Sequence, residues 1–311
     1  LLRRENSKTN GEIFAAEFVL KLLKKRLFSS PAAFHSTLAK HTKTLKGMKE
    51  KESPSTKRNT VFGILRRQIS KAEEDYADDG DFEEATSDAV GSASQAFDSL
   101  IPRERKLLEE MTTWAEKSSF RADSKANALM EWIRNNLLNS DGTWSDERVI
   151  IFTEYRTTQD WLQLLMAAEG FTEDDRIMVL YGGMDIDERE AIKAAFQAHP
   201  DTSPVRVLLA TDAASEGIDL QNYCHRLIHY EIPWNPNRME QRNGRIDRHG
   251  QKCQPLIHHF VSKGFQNQSD VRAKEAKDLE GDLEFLVRAA LKVEQIREDI
   301  GKVGPVIAQQ V

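Results

Sequence analysis

The feature that most constrains the fold is an apolar run at residues 205–210, Val-Arg-Val-Leu-Leu-Ala, which leads directly into a polar segment. That segment is rich in small and acidic residues and carries Thr211, Asp212, Glu216, Gly217 and Asp219. A buried strand that ends in such residues is typical of a parallel sheet, at the edge where the strand ends meet a ligand crevice. The run therefore predicts an α/β fold with a functional loop after this strand.

A second segment, residues 235–250, predicts a helix with a polar stripe. Asn235 is suited to cap this helix, Pro236 fits its first position, and Gly250 is suited to end it. Between them, long polar side chains recur at spacings of three and four. One continuous helix would therefore place on a single face Arg238, Gln241, Arg245 and Arg248.

The arginines of this stripe predict a phosphate site. A planar guanidinium matches phosphate oxygens better than a lysine ammonium does, and an inserted arginine can accelerate phosphoryl transfer by several powers of ten. The alternative is a solvated face on which the arginines pair with Glu240 and Asp247. We favour the phosphate site because the polar loop and the helix occur together and in this order.

The two segments together resemble conserved motifs of superfamily-two helicases. Residues 211–217, Thr-Asp-Ala-Ala-Ser-Glu-Gly, resemble motif V, and residues 241–248, Gln-Arg-Asn-Gly-Arg-Ile-Asp-Arg, resemble motif VI. The Trp-Asn-Pro at 234–236 and the Gly-Gln at 250–251 are similar to the Swi/Snf branch and, within it, to the bacterial RapA-like ATPases. The resemblance covers residues 148–262 well and the flanking sequence loosely.

Alternating short apolar runs and helical patterns begin after residues 139–142, Asn-Ser-Asp-Gly, and predict βαβ units. The predicted fold class is α/β: a RecA-like doubly wound parallel sheet, the helicase C-terminal lobe, preceded by an all-helical region. We expect a helical insertion or linker region at 1–140, the lobe at 141–265, and a C-terminal helix at 266–311 that packs on the lobe. Within the first region, the acidic block at 73–94 predicts a mobile loop, because its charges repel one another and it lacks apolar surface. The alternative for this block is an acidic mimic of DNA.

Composition narrows the classes of function. The sequence has no apolar run of about eighteen residues, so we expect no membrane span. The two cysteines lie in ordinary context and indicate a reducing compartment, so we expect a cytoplasmic protein. Cys224 and Cys253 lie in no CxxC or histidine grouping, so we expect no metal site formed by this chain. The net charge of −6 does not exclude nucleic acid, because a local basic groove can operate on an acidic protein.

Nucleotide hydrolysis of this type needs a G-x-x-x-x-G-K-[S/T] loop and an acidic pair that holds magnesium. The sequence contains neither in a credible context. We therefore expect a second motor lobe, cut from a two-lobed ATPase. ATP and Mg²⁺ would bind mainly to a first lobe outside this sequence, and the chain alone would hydrolyse little ATP.

The resemblance implies three sets of site residues. The catalytic residues are the arginine fingers Arg245 and Arg248, which would contact the γ-phosphate. The nucleotide-binding residues would be Gly217, Asp219, Gln241 and Arg242, although many Swi/Snf members have asparagine at the position of Asp219. Backbone phosphates of a tracked DNA strand would meet Thr153, Arg156, Gly182 and Thr211, mostly through backbone groups and short hydroxyls.

The sequence thus predicts the second lobe of a Swi/Snf-type, ATP-dependent DNA translocase. Its expected partners are double-stranded DNA and the N-terminal motor lobe of the same protein. The resemblance also implies RNA polymerase or proteins of defence systems, and the sequence does not choose between these. The alternatives are a lobe of a helicase that separates DNA or RNA strands, and a non-catalytic module that binds DNA or a partner. The full set of arginines favours the motor.

Overall fold

A computed structural model of the chain describes residues 10–47, 78–95, 100–215, 219–233 and 235–261. The chain divides into two compact units, Leu1–Ser124 and Lys125–Val311. The sequence analysis places the border between the helical region and the lobe at residue 140. In the structure the border lies at the start of the helix Ser124–Leu137, so this helix groups with the α/β unit. The expected C-terminal helix at 266–311 lies outside the described residues.

The first unit is helical in its described part. Its helices are α1 (Asn10–Ser29), α2 (Pro31–Gly47), α3 (Asp79–Gln95) and α4 (Pro102–Ser118). Ser30 begins α2 as a cap, because its Oγ accepts a hydrogen bond from the Ala33 amide at 3.0 Å. Small and aliphatic side chains of α1, α2 and α3 form one buried cluster, which includes Ala15, Val19, Leu45, Ala89 and Ala93. The prediction of a helical region before the sheet is confirmed.

Helix α3 corrects the prediction made for the acidic block. A mobile loop was expected at 73–94, but residues 79–95 are helical, so that part of the prediction is wrong. Arg26 of α1 is buried and donates two hydrogen bonds to the Glu83 carboxylate, at 2.6 and 3.0 Å. The block therefore has a cationic partner, and its small residues supply the apolar face that it was thought to lack. Residues 73–77 lie outside the described residues.

The second unit alternates strands and helices. After α5 (Ser124–Leu137) come β1 (Val149–Thr153), α6 (Arg156–Ala168), β2 (Ile177–Leu180), α7 (Ile186–Gln197), β3 (Val207–Thr211), the single turn α8 (Asp212–Ser215), β4 (Arg226–His229), α9 (Pro236–Asn243) and β5 (Leu256–His259). Within the described residues, the strands form one five-stranded parallel sheet in the order β2-β3-β1-β4-β5. The predicted α/β fold with a parallel sheet is confirmed.

The centre of this sheet is the core of the second unit. Every residue of β1 and of β3 is buried, and the two strands pair in register from Val149 with Val207 to Thr153 with Thr211. Phe196 of α7 and Ile246, which follows α9, pack in the hydrophobic cluster that covers the sheet. All five strands run in parallel, so the loops that follow them meet at one edge, which we call the carboxyl edge.

His229, the last residue of β4, connects the sheet to α9. Its buried ring stacks on His259 of β5, with centroids 4.7 Å apart and planes 7° from parallel. The Nε2 atom lies 2.8 Å from Asn243 Oδ1, and Nδ1 lies 3.4 Å from Arg242 Nη1. Arginine can only donate, so Nδ1 accepts, and the ring proton is on Nε2, facing the Asn243 oxygen. Burial, followed by the neighbouring His259 and Arg242, lowers the pKa of His229 well below its ordinary value.

This buried histidine predicts a pH dependence of stability. An unfolded chain binds a proton on His229 below about pH 6.5, whereas the folded chain keeps the ring neutral, so the free energy of unfolding falls as pH drops below that value. One such group contributes up to about 1.4 kcal/mol per pH unit. Chemical denaturation between pH 7.5 and 5.5 measures this slope, and the substitution His229→Gln is expected to flatten it by about one proton.

The matched control is His199→Gln, since His199 is exposed. That variant keeps the wild-type slope if the buried ring is the cause. Equal slopes for wild type and His229→Gln would contradict the assignment.

Candidate functional site

The middle of the carboxyl edge is closed by a buried ion pair. Arg242 of α9 is only 1% exposed, and its Nε and Nη2 donate to the two carboxylate oxygens of Asp212 at 2.5 and 2.8 Å. Asp212 follows β3 directly, so the pair fixes α9 to the end of a central strand. Burial alone would lower the pKa of Arg242, but the carboxylates of Asp212, Glu231 and Glu154 together raise it.

Glu231 extends this network to the ends of two more strands. Its main-chain oxygen accepts from Arg242 Nη1 at 3.1 Å, and its Oε1 accepts from the Glu154 amide at 3.0 Å. Glu154 follows β1 and Glu231 lies just after β4, so one carboxylate joins the ends of adjacent strands. Protein side chains therefore occupy the centre of the carboxyl edge, where an open sheet commonly binds its ligand.

The predicted arginine helix is shorter than expected. Helix α9 ends at Asn243, and Gly244 follows as its C-cap, so the prediction that Arg238, Gln241, Arg245 and Arg248 share one helical face is wrong. Glycine weakens a helix interior, and the buried Ile246 side chain draws the following turn towards the sheet. Arg245 and Arg248 consequently lie on a turn at 244–250 and not on the helix.

This turn is joined to the loop after β3. The Leu220 amide donates to the Arg245 main-chain oxygen at 3.1 Å, and the Arg248 guanidinium forms an ion pair with the Asp219 carboxylate. Both members of the pair are accessible, with 44% and 57% of their side chains exposed. The segment that follows the motif V-like stretch therefore lies against the end of the motif VI-like stretch.

The other predicted nucleotide residues have different surroundings. Arg242 is buried in the ion pair with Asp212, so it cannot touch a nucleotide in this conformation. Gln241 is exposed on α9, and Arg245 is partly buried. Gly217 lies outside the described residues.

A second cluster lies where α6 begins, next to the end of β2. The Arg156 guanidinium lies 3.5 Å from the centroid of the Tyr181 ring. Its Nη1 donates to Gln159 Oε1 at 2.6 Å, and its Nη2 lies 3.1 Å from Asp160 Oδ1. The Arg156 side chain is 29% exposed, so it is both held in place and accessible.

The remaining predicted DNA residues are less accessible than Arg156. Thr153 and Thr211 are the last residues of two paired central strands, and both are fully buried. Gly182 is also buried, while Gly183 beside it is exposed and has a φ of 83°. A hydroxyl contact from either threonine would require the carboxyl edge to open, whereas Arg156 can bind an anion as it stands.

Sequence reasoning missed the side chains that organise both clusters: Gln159, Asp160, Tyr181, Asp212 as the partner of Arg242, and Glu231. A signal existed for Gln159, which is a polar residue among the core-facing positions of an amphipathic helix. Tyr181 follows a short strand directly, which is another recognisable position. The pairing of Asp212 with Arg242 joins residues 30 positions apart and has no local signal.

The described part of the chain offers neither a metal site nor a membrane span. Within the described ranges, no group of three or more His, Cys, Asp or Glu side chains is arranged to hold a metal ion. No helix among these residues has the length and apolar character needed to cross a membrane.

Comparison with known proteins agrees with this geometry. Residues 125–250 match the family model described as the helicase conserved C-terminal domain. Over 118 residues, the chain is 40% identical to the uncharacterized ATP-dependent helicase YqhH of Bacillus subtilis (strain 168), a match that covers 38% of this chain and 19% of that protein. Over 167 residues it is 30% identical to the RNA polymerase-associated protein RapA of Vibrio campbellii, covering 53% of this chain and 15% of that protein.

Among solved structures, the chain is similar to the C-terminal part of the Fun30 ATPase domain, with 14% sequence identity and a TM-score of 0.38. That similarity covers 78% of this chain and 82% of the other.

The matched segments span less than a fifth of the length of the two bacterial relatives. The resemblance drawn from the sequence motifs is confirmed: residues 125–250 match the helicase conserved C-terminal domain, and the chain is similar to proteins named as an ATP-dependent helicase and as RapA.

Proposed function

We propose that this chain is the second motor lobe of a Swi/Snf-type, ATP-dependent DNA translocase that acts in the cytoplasm. The observation that carries the proposal is the junction of the loop after β3 with the turn after α9. Its contacts include Arg242 with Asp212, the Leu220 amide with the Arg245 carbonyl, and Arg248 with Asp219. The junction holds Arg245 and Arg248 on a turn beside this loop, where a triphosphate held mainly by another lobe would meet them.

Arg248 has the properties that an arginine finger needs. Its ion pair with Asp219 is solvent-exposed, and such pairs contribute only about 0–1 kcal/mol, so a γ-phosphate can replace the carboxylate. Asp219 would hold the guanidinium near the cleft until the nucleotide arrives. Arg245 lies three residues earlier on the same turn and is proposed as the second catalytic arginine.

The remaining nucleotide roles are proposed on the same basis. Gln241 and Gly217 would border the nucleotide, and Asp219 would come close to its ribose once Arg248 has moved. Arg242 is reassigned: it positions the turn through Asp212 and does not contact the nucleotide. Guanidinium groups suit the anionic triphosphate, whereas Mg²⁺ would be held by the first lobe together with most of the ATP.

DNA is proposed to lie against the Arg156 cluster. A partly exposed arginine at the carboxyl edge suits a backbone phosphate, and phosphate contacts position a strand without reading its sequence. Gly182, next to Tyr181, and the ends of β1 and β3 at Thr153 and Thr211 would border the same strand. RNA polymerase is a proposed partner only because relatives of this chain are named for their association with it.

The finger proposal predicts the effect of Arg248→Ala in the full-length protein. Loss of the guanidinium removes charge stabilisation from the transition state, so DNA-stimulated ATP turnover is expected to fall by roughly 10³-fold. Steady-state ATP hydrolysis at saturating duplex DNA measures this. Arg105→Ala, which removes an exposed arginine of α4, is the control and should keep wild-type turnover. Unchanged turnover in Arg248→Ala would reject the finger.

The DNA proposal predicts a change in the salt dependence of binding for Arg156→Ala. Loss of one phosphate contact reduces the slope of log K against log salt by about 0.9, besides lowering the affinity. Fluorescence anisotropy with a labelled duplex at several salt concentrations provides both quantities.

Arg134→Ala is the matched control for this measurement. Arg134, a residue of α5, also pairs with a carboxylate, Glu169, and lies over an aromatic ring, Phe171. Its cluster is near the C-terminal end of α6, whereas the Arg156 cluster is at the start of α6. Arg134→Ala is expected to leave the slope unchanged. A wild-type slope in Arg156→Ala would show that this arginine does not contact DNA.

A further inference from the structure

The Arg156 cluster contains three side chains to which neither the motifs nor the proposed function gives a role. We propose that Gln159 and Tyr181 are positioning residues that hold the Arg156 guanidinium for a nucleic-acid backbone phosphate, and that Asp160 is the counter-ion which this phosphate displaces. The inference rests on the proposed contact between Arg156 and DNA. It explains how the Arg156 guanidinium is oriented before DNA binds.

Gln159 fixes Arg156 relative to the sheet. Its side chain is fully buried, and Nε2 donates to the main-chain oxygens of Leu180 and Leu209, at 3.0 Å each. The amide nitrogen must face these two carbonyls, so Oε1 has to point elsewhere, and it accepts from Arg156 Nη1 at 2.6 Å. The last residue of β2 and the middle residue of β3 therefore dictate the orientation of the amide, and the amide dictates the position of the guanidinium.

Tyr181 fixes the plane of the same group. At 3.5 Å from the ring centroid, the guanidinium is in close cation–π contact with the tyrosine. A guanidinium has five N–H donors, and the contacts with Gln159 and Asp160 engage only part of them. The cluster therefore holds a fixed fork that still has donors for phosphate oxygens.

Asp160 keeps this fork neutralised without binding it strongly. The pair spans one helical turn, and half of the Asp160 side chain is exposed. Burial raises the pKa of Asp160 and outweighs the opposing effect of Arg156, so the carboxylate is not fully stabilised by its partner. A phosphate that replaces the Asp160 carboxylate therefore breaks only a weak, partly exposed ion pair.

The control cluster around Arg134, at the other end of α6, shows which features are particular to the surroundings of Arg156. Arg134 has a carboxylate partner and an aromatic neighbour, as Arg156 has, but its guanidinium lies 5.5 Å from the Phe171 centroid. Among the contacts of the described residues, no buried amide orients it. A carboxylate and a ring are thus common surroundings for an arginine, whereas the buried Gln159 and the close Tyr181 single out Arg156.

The test is a double-mutant cycle on duplex DNA binding by the full-length protein. Tyr181→Leu is expected to weaken binding roughly two- to fivefold, because the cation–π contact is lost, and Tyr181→Phe should restore it. In an Arg156→Ala background, Tyr181→Leu should have no further effect, because a positioning residue acts only through the group that it positions. Phe171→Leu, at the control cluster, should bind as wild type does.

Asp160→Asn gives an independent arm of the same experiment. Removal of the competing carboxylate should tighten DNA binding severalfold while keeping the shape of the side chain. Weaker or unchanged binding would reject the counter-ion role.

The outcomes separate this inference from the proposal that it builds on. If Arg156→Ala binds DNA as the wild type does, the proposed DNA contact fails and the inference fails with it. If Arg156→Ala weakens binding but Tyr181→Leu has no effect, or has the same effect in both backgrounds, the contact stands and the positioning role is wrong.

Discussion

The buried ion pair between Arg242 and Asp212 is the constraint on which the carboxyl edge depends. It joins α9 to the end of β3, and through Glu231 it also ties in the ends of β1 and β4. Loss of Asp212 would remove the nearest carboxylate from the buried Arg242, and breaking a buried pair costs about 3–5 kcal/mol in comparable cases. A closed network of this kind fills the position where an open sheet commonly binds its ligand, so ligand contacts must come from the groups around it.

Two arginines outside this network are proposed to contact ligands, and each is held in a different way. Arg248 is paired with an exposed carboxylate, so it can move to a new anion when one arrives. Arg156 is oriented by a buried amide and a close aromatic ring, so it presents donors in one fixed geometry. A mobile guanidinium suits a nucleotide that is bound, cleaved and released in each cycle. A guanidinium held in one orientation suits a nucleic-acid backbone, which presents an equivalent phosphate at every nucleotide.

The sequence was sufficient for the α/β class with a parallel sheet, the loop after β3 and the capped start of α9, because buried strands and capped helices leave local patterns. Prediction from the sequence failed where contacts between residues far apart in the chain determine the structure. The acidic block folds as α3 because Arg26 from another helix pairs with Glu83, and α9 ends early because Ile246 packs into the core. The burial of Thr153 beside Thr211 follows from strand register, which spacing alone does not reveal.

The central claim is that the turn after α9 supplies guanidinium groups to a triphosphate that another lobe holds. The most direct measurement is a structure of the full-length protein with duplex DNA and a non-hydrolysable ATP analogue. The account predicts that Arg248 will have left Asp219 and will lie about 3 Å from a γ-phosphate oxygen, while Arg242 stays on Asp212. If Arg248 remains on Asp219 with the analogue bound and neither Arg248 nor Arg245 contacts the phosphates, the account is wrong.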